Sequence, residues 1–199
     1  MNTAKEGPGD LDLACIKHCT STLTGAALRC PEECTASDSG PCHIFADIEV
    51  WNEYLSLIQF ELREEAPGRL HLVSFGPENL ETSTLEQIHR AFTLAFILLK
   101  NHTCVVAFHM GFWSINSRHR KLISRGIQGS SALKSINVGR NKWLMDDILT
   151  SESSLTVLEE LRCYALDRPR GFFRPLCSFL AKSTSIKTLD VMNVAVDAF

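Results

Sequence analysis

The sequence predicts an α/β chain in which short strands alternate with amphipathic helices. Three observations predict it. Segments with apolar residues two apart, the spacing of a strand with one buried face, recur along the last two thirds of the chain. Between them lie stretches whose apolar residues fall at helical spacing. The chain has 199 residues, of which 45% are hydrophobic and 22% charged, a composition that suits a globular protein with one substantial core.

Residues 1–14, MNTAKEGPGDLDLA, read as a flexible polar tail without the apolar stretch of a secretory signal. Residues 15–66 read as a Cys-rich, mainly helical N-terminal cap. Five of the eight cysteines fall there, at positions 15, 19, 30, 34 and 42. Val50, Tyr54, Leu55, Ile58 and Leu62 have helical spacing over 50–62, and Ala66-Pro67-Gly68 then breaks the chain. Further on, Leu85, Ile88, Phe92, Ala95 and Leu99 predict a strongly amphipathic helix. Leu122, Ile123 and Ile127 predict a shorter one before Gly129, Leu144 and Ile148 a weak one, and Phe172, Leu176, Phe179 and Leu180 the last. The apolar run AFTLAFILL at 91–99 is about half the ~20 residues a spanning helix needs, so it is expected as a buried helix and not in a membrane.

Between the helices one pattern returns. LHLVSFGPE at 70–78, TCVVAFHMG at 103–111, LKSINVGRN at 133–141, LEELRCYAL at 158–166 and IKTLDVMNV at 186–194 start 33, 30, 25 and 28 residues apart. Aligned on LKSINVGRN, the fourth and sixth positions are Val73/Phe75, Val106/Phe108, Ile136/Val138, Leu161/Cys163 and Leu189/Val191. LKSINVGRN alone closes on Asn, at position 141, where a side-chain amide can bond backbone groups as the chain leaves the strand. The pattern LxxLxLxxN followed by a helix resembles a leucine-rich repeat. With units near 28 residues it is most similar to the ribonuclease-inhibitor-like type, as in Ran GTPase-activating proteins and the C-terminal regions of NOD-like receptors. The resemblance implies a solenoid over residues 67–199, with about five degenerate repeats, parallel strands on the concave face and helices on the convex face. The chain stops at Phe199, soon after the last strand. That suggests a truncated series, or an uncapped end that pairs with another molecule, such as a second copy of the chain. An open parallel sheet in a single α/β domain has the same order of elements.

The resemblance implies non-enzymatic recognition of another protein through the concave face. The partner-binding candidates are Ser74, His109, Asn137, Arg140, Arg162, Tyr164, Asp190 and Met192. Catalytic signatures are missing: GIQGSS at 126–131 lacks the Gly-Lys-Ser/Thr ending of a phosphate loop, and neither His-Glu-x-x-His nor Gly-x-Ser-x-Gly occurs. The net charge of −3 argues against nucleic acid as a partner. It is unevenly placed, with 13 acidic against 5 basic residues in the first 80 positions and 10 against 15 afterwards. Arg118, His119, Arg120, Lys121 and Arg125 read as the solvated face of a helix. Arg168, Arg170 and Arg174 read as a loop marked by Pro169 and Gly171.

Eight cysteines without a signal sequence fit reduced thiols in a cytoplasmic protein, and no metal or cofactor is expected. The competing reading is a zinc-binding adaptor, as in ubiquitin-ligase substrate receptors. Its ligands would be Cys15, Cys19, Cys30 and Cys34, with Cys42, His43 and His18 as substitutes. A disulfide pair is the other alternative for those thiols, and a regulator like the Ran GTPase-activating proteins is the other alternative function. Cys104, Cys163 and Cys177 are expected to pack in the interior.

Overall fold

The computed structural model describes residues 34–37, 40–76, 84–111, 117–150, 155–164 and 169–192, without the side chains of 117–118 and 169–173. The expected tail, Cys15, Cys19, Cys30 and the chain end after 192 lie outside the described residues. A 3-10 turn at His43–Asp47 leads into α1 (Ile48–Ser56). Then follow β1 (Phe60–Ala66), β2 (Arg69–Ser74), α2 (Leu85–Asn101), β3 (Val105–His109) and α3 (Ser117–Gly129). The order ends with β4 (Ser135–Asn137), α4 (Lys142–Thr150), β5 (Glu160–Tyr164), α5 (Pro169–Lys182) and β6 (Thr188–Met192).

The six strands form one sheet in chain order. β1 and β2 are an antiparallel hairpin, and β2 to β6 run parallel. The fold is therefore α/β with a mostly parallel sheet. Strand alternation sends one row of side chains to the helices: Leu62, Leu72, Phe108, Ile136, Leu161 and Leu189 are paired in register across all six strands. The first five are buried, and Leu189, on the outer strand, is 40% exposed. The helices touch one another in the same order, α1 against α2 through to α4 against α5.

The helix α2 is the centre of this packing. Thr84 and Gln87 close a capping box at its start, with the Gln87 amide 3.2 Å from Thr84 Oγ1 and the Thr84 amide 2.9 Å from Gln87 Oε1. Residues 91–99 are buried without interruption, so the helix is covered on every side and not on one face alone. Gly126 of α3 sits against it. A Cβ there would lie 3.1 Å from Leu99 Cβ and 3.2 Å from the Phe96 carbonyl, so the glycine sets how closely the two helices approach.

Several sequence expectations need correction. The helix expected over 50–62 ends at Ser56, and Gln59, at φ 58°, turns the chain into β1. Phe60 and Leu62 are buried on either side of a less buried Glu61, which is the two-residue period of a strand. The cap boundary at residue 66 thus cuts a hairpin whose first strand belongs to the sheet. Asn52 of α1 bonds that edge strand on both sides, accepting from the Leu62 amide at 2.6 Å and donating to its carbonyl at 3.0 Å. Pro169 opens α5 instead of marking a loop, since a proline at a first helical position gives up an amide with no intrahelical partner. His119 is buried, stacked on Phe92 at 4.3 Å, and does not share the solvated face of Lys121 and Arg125. Cys104 and Cys163 are buried as expected, but Cys177 is exposed.

LKSINVGRN meets most of its expectations. Leu133, Ile136 and Val138 are buried. Asn141 does bond backbone, but at the start of α4, where its Oδ1 accepts from the Leu144 amide at 2.9 Å as an N-cap. Gly139 takes φ 54° in a tight turn. A Cβ there would lie 2.5 Å from the Gly111 carbonyl oxygen and 2.6 Å from that of Met110. Gly68, also at positive φ (74°), has open space around it. Gly139→Ala is therefore expected to destabilise by ~2 kcal/mol or more, and Gly68→Ala by about 1 kcal/mol. Urea unfolding of the two variants checks this, and equal losses would show that the crowding at Gly139 does not matter.

Candidate functional site

On the face away from the core row, two rows of side chains cross the sheet. One is Arg63, His71, Ala107, Ser135, Glu160 and Thr188; the other is Glu61, Val73, His109, Asn137, Arg162 and Asp190. In the second row, positions from Val73 to Asp190 are half-buried except Arg162, which is exposed. A polar line joins neighbouring strands. His109 Nε2 lies 3.2 Å from Ser135 Oγ, which donates to Glu160 Oε2 at 2.6 Å, and Glu160 Oε1 accepts from Arg162 Nε at 2.8 Å.

Serine, histidine and a carboxylate invite comparison with a nucleophile triad, but the order here is wrong for one. In a triad the carboxylate orients the imidazole, which takes the serine proton. Here the carboxylate takes the serine O–H, so His109 Nε2 is the donor to Ser135. The hydroxyl proton already has an acceptor, and the line serves to fix side-chain positions.

Of the expected partner-binding residues, His109, Asn137, Arg162 and Asp190 share one row. Tyr164 and Met192 are paired two positions further along β5 and β6, with Tyr164 half-buried and Met192 43% exposed. Asn137 has part of its capacity taken, because its Oδ1 accepts from the Gly139 amide at 3.0 Å. Arg140 is exposed in the turn after β4, off the strand rows. Ser74 is a correction. It pairs with Phe60 on the core side, on the same face as Leu70 and Leu72, and its Oγ accepts from the Gly111 amide. In β2 the outward residues are His71 and Val73. Neither was expected, and the signal for them was the Leu70–Leu72 alternation. Glu160 was missed because it lies two residues before the positions used.

The second cluster lies where the segment before α1 meets the turn from α2 to β3. Cys34, Cys42, His102 and Cys104 place four possible ligand atoms within 4.8 Å of one another, and the last three residues are buried. The Cys34 and Cys104 sulfurs are 4.0 Å apart, and Cys42 Sγ is 3.5 Å from His102 Nδ1. Local backbone geometry builds the cluster. Ser37 and Gly40 exchange amide–carbonyl bonds of 3.2 Å, folding the stretch between Cys34 and Cys42 back on itself. His102 ends α2 in an extended conformation, and its carbonyl accepts from the Val105 amide at 3.1 Å, which brackets Cys104 in a turn. Burial raises the Cys34 thiol, but the Thr103 hydroxyl and the amides of Ala36, Cys104 and Thr103 outweigh it and bring it down to about 7. Burial, with the neighbouring Cys34 and Cys42, pushes Cys104 up. His43, an expected substitute ligand, turns its Nδ1 to Thr35 Oγ1 at 3.0 Å.

Comparison with family models, with curated proteins and with solved structures finds no match to this chain. Among the described residues, no helix is long and apolar enough to cross a membrane.

Burial lowers His109 from its ordinary 6.5, as do His71 of β2 and Arg162 of β5, while Glu160 of β5 and Glu65 of β1 oppose the shift. Ser135 of β4 is its hydrogen-bond partner. His71 is also lowered, by burial against the opposing Glu65. A histidine whose folded value lies below its unfolded value binds more protons when unfolded. Its contribution is present above pH 6.5 and is lost as pH falls from there through the lower folded value. Glu160 is held below its ordinary 4.5 chiefly by the Ser135 hydrogen bond, so it titrates in a separate, lower window. His109→Gln is expected to flatten the fall in stability between about pH 7 and about pH 5. Denaturant midpoints measured across that range check it, and an unchanged slope would contradict it.

Proposed function

We propose that the open face of the sheet is a protein-recognition surface, and that the chain is a leucine-rich-repeat solenoid of the ribonuclease-inhibitor-like type. The observation that carries this reading is the row His109, Asn137, Arg162 and Asp190, one side chain from each of four adjacent parallel strands. Adjacent strands stand about 4.8 Å apart, so the row offers evenly spaced groups of mixed character on a stiff support. Strands in chain order and helices that touch in the same order support the repeat reading, because stacked units meet only their neighbours.

The surface is graded. Toward β2 and β3, His71 and His109 meet edge to face, with ring centroids 5.4 Å apart, and His109 is tied to Ser135. Toward β5 and β6, Arg162 and Met192 are exposed, with Tyr164 and Asp190 between burial and exposure. A cation, an anion, an aromatic ring and a thioether together can satisfy both the polar rim and the apolar centre of a protein interface. Partner contact is therefore centred on Arg162, Tyr164, Asp190 and Met192.

A photo-crosslinking residue at Thr188, beside these groups, tests the proposal. It is expected to capture a discrete partner protein in cells, and the combined substitution of Arg162 and Tyr164 by Ala is expected to abolish that capture while leaving the fold intact. The same probe at Lys121, on the exposed side of α3, is expected to capture none. Equal capture from both positions, or capture indifferent to the two substitutions, would sink the reading.

A further inference from the structure

The four side chains that meet between the segment before α1 and the α2–β3 turn have the chemistry of a closed metal site. Tetrahedral zinc holds sulfur at about 2.3 Å and imidazole nitrogen at about 2.0 Å. Those radii separate two sulfurs by about 3.8 Å and a sulfur from a nitrogen by about 3.5 Å. The corresponding distances are 4.0 Å for Cys34 to Cys104 and 3.5 Å for Cys42 to His102. All four atoms fall within 4.8 Å of one another. We infer that Cys34, Cys42, His102 and Cys104 bind one zinc ion, as a structural site with all four coordination positions filled by the protein.

The alternatives explain less. A disulfide needs its sulfurs about 2.05 Å apart and would engage only two of the four groups. Three thiols and an imidazole converging from two distant stretches are more than ordinary packing requires. A soft sulfur-rich donor set excludes magnesium and calcium and favours zinc among divalent ions. The surroundings also suit thiolates. Three thiolates and a neutral imidazole leave one negative charge on a zinc centre. The Thr103 hydroxyl, 3.4 Å from Cys34 Sγ, and the backbone amides directed at that sulfur would spread it. His102 presents Nδ1 to the cluster, which fixes the tautomer a ligand would need: Nδ1 bare and Nε2 protonated.

The ligand pattern is Cys-x7-Cys followed by His-x-Cys. The two halves are joined by separations of 60 residues (Cys42 to His102) and 70 residues (Cys34 to Cys104). The ion would tie the segment before α1 to the end of α2, the helix at the centre of the core. Closing so long a loop removes freedom from the unfolded chain, and the ion's binding energy becomes folding energy. Of these four, Cys34 belongs to the ligand set that local spacing suggests and Cys42 to its substitutes, while His102 and Cys104 belong to neither. The inference stands apart from the recognition proposal, because the cluster is not on the open face.

The test uses the full chain purified under reducing conditions, with metal content read by mass spectrometry and cobalt as a spectroscopic substitute. One equivalent of zinc is expected, and cobalt loading is expected to give the intense visible bands of a tetrahedral centre with thiolate-to-metal charge transfer. Cys42→Ser and Cys104→Ser are each expected to lose the metal. Cys163→Ser, and the chain carrying Cys15→Ser, Cys19→Ser and Cys30→Ser together, are expected to keep it. His102→Cys is expected to retain cobalt with a spectrum shifted toward four thiolates, which separates lost ligation from lost folding. No uptake by the reduced parent would overturn the inference, as would an oxygen-rich octahedral spectrum. So would metal lost from the triple variant but kept by Cys104→Ser.

Discussion

Everything in this fold depends on one row of side chains, Leu62, Leu72, Phe108, Ile136, Leu161 and Leu189, pressed against a layer of helices. Each strand supplies one member, and none could bury it alone. Full burial of one such side chain is worth about 1.5–3 kcal/mol, so the row is a large share of what holds strand to helix. It also fixes the register. A slip of one residue in β5 would send Glu160 or Arg162 into the core and Leu161 into water, so the pairing has no near competitor. The tight positions follow from the same layering. Gly126 lets α3 lie close on α2, and Gly139 lets the chain turn against the Met110–Gly111 backbone.

The open face is the other side of that constraint. Because alternate residues must point away from the helices, the groups there are arranged by strand parity before any partner is considered. Those toward β3 and β4 largely satisfy one another through His109, Ser135 and Glu160. Toward β6, by contrast, Met192 stands exposed on this face. Rigidity and availability therefore run in opposite directions across one surface.

The sequence made the α/β class legible because its helices are long and its strands short and alternating. The helix at 85–99 and the strand in LKSINVGRN were plain, the first from an uninterrupted stripe and the second from Leu133, Ile136 and Val138. Residues 50–62 misled because two periods meet there: Val50, Tyr54 and Leu55 follow a helix, Ile58 packs from the turn that ends it, and Phe60 and Leu62 follow a strand. LHLVSF misled because Leu70/Leu72 and Val73/Phe75 both alternate, and only pairing with Phe108 decides between them. That choice put Ser74 on the wrong side and hid His71. The Cys/His cluster was the least legible feature. Local spacing drew attention to the Cys-x3-Cys pairs, whereas Cys42 and His102 meet across 60 residues of chain. His119 was hidden in another way, by basic neighbours that made its whole segment look solvated.

The sheet's strict chain order has a consequence for how the molecule opens and closes. Each strand after β2 is bonded to its neighbours in sequence, but a parallel pair such as Phe108 and Ile136 forms only after the chain has closed a crossover through a helix, which slows assembly. Among the described residues, β6 has one bonded neighbour and a partly exposed apolar side chain, so fluctuations there break a single interface. At the other end, Asn52 ties α1 to β1, and the Cys/His cluster joins the segment before α1 to the end of α2. The two edges of one sheet thus differ: β6 leaves Leu189 partly exposed, while β1 is held along its edge by the side chain of Asn52.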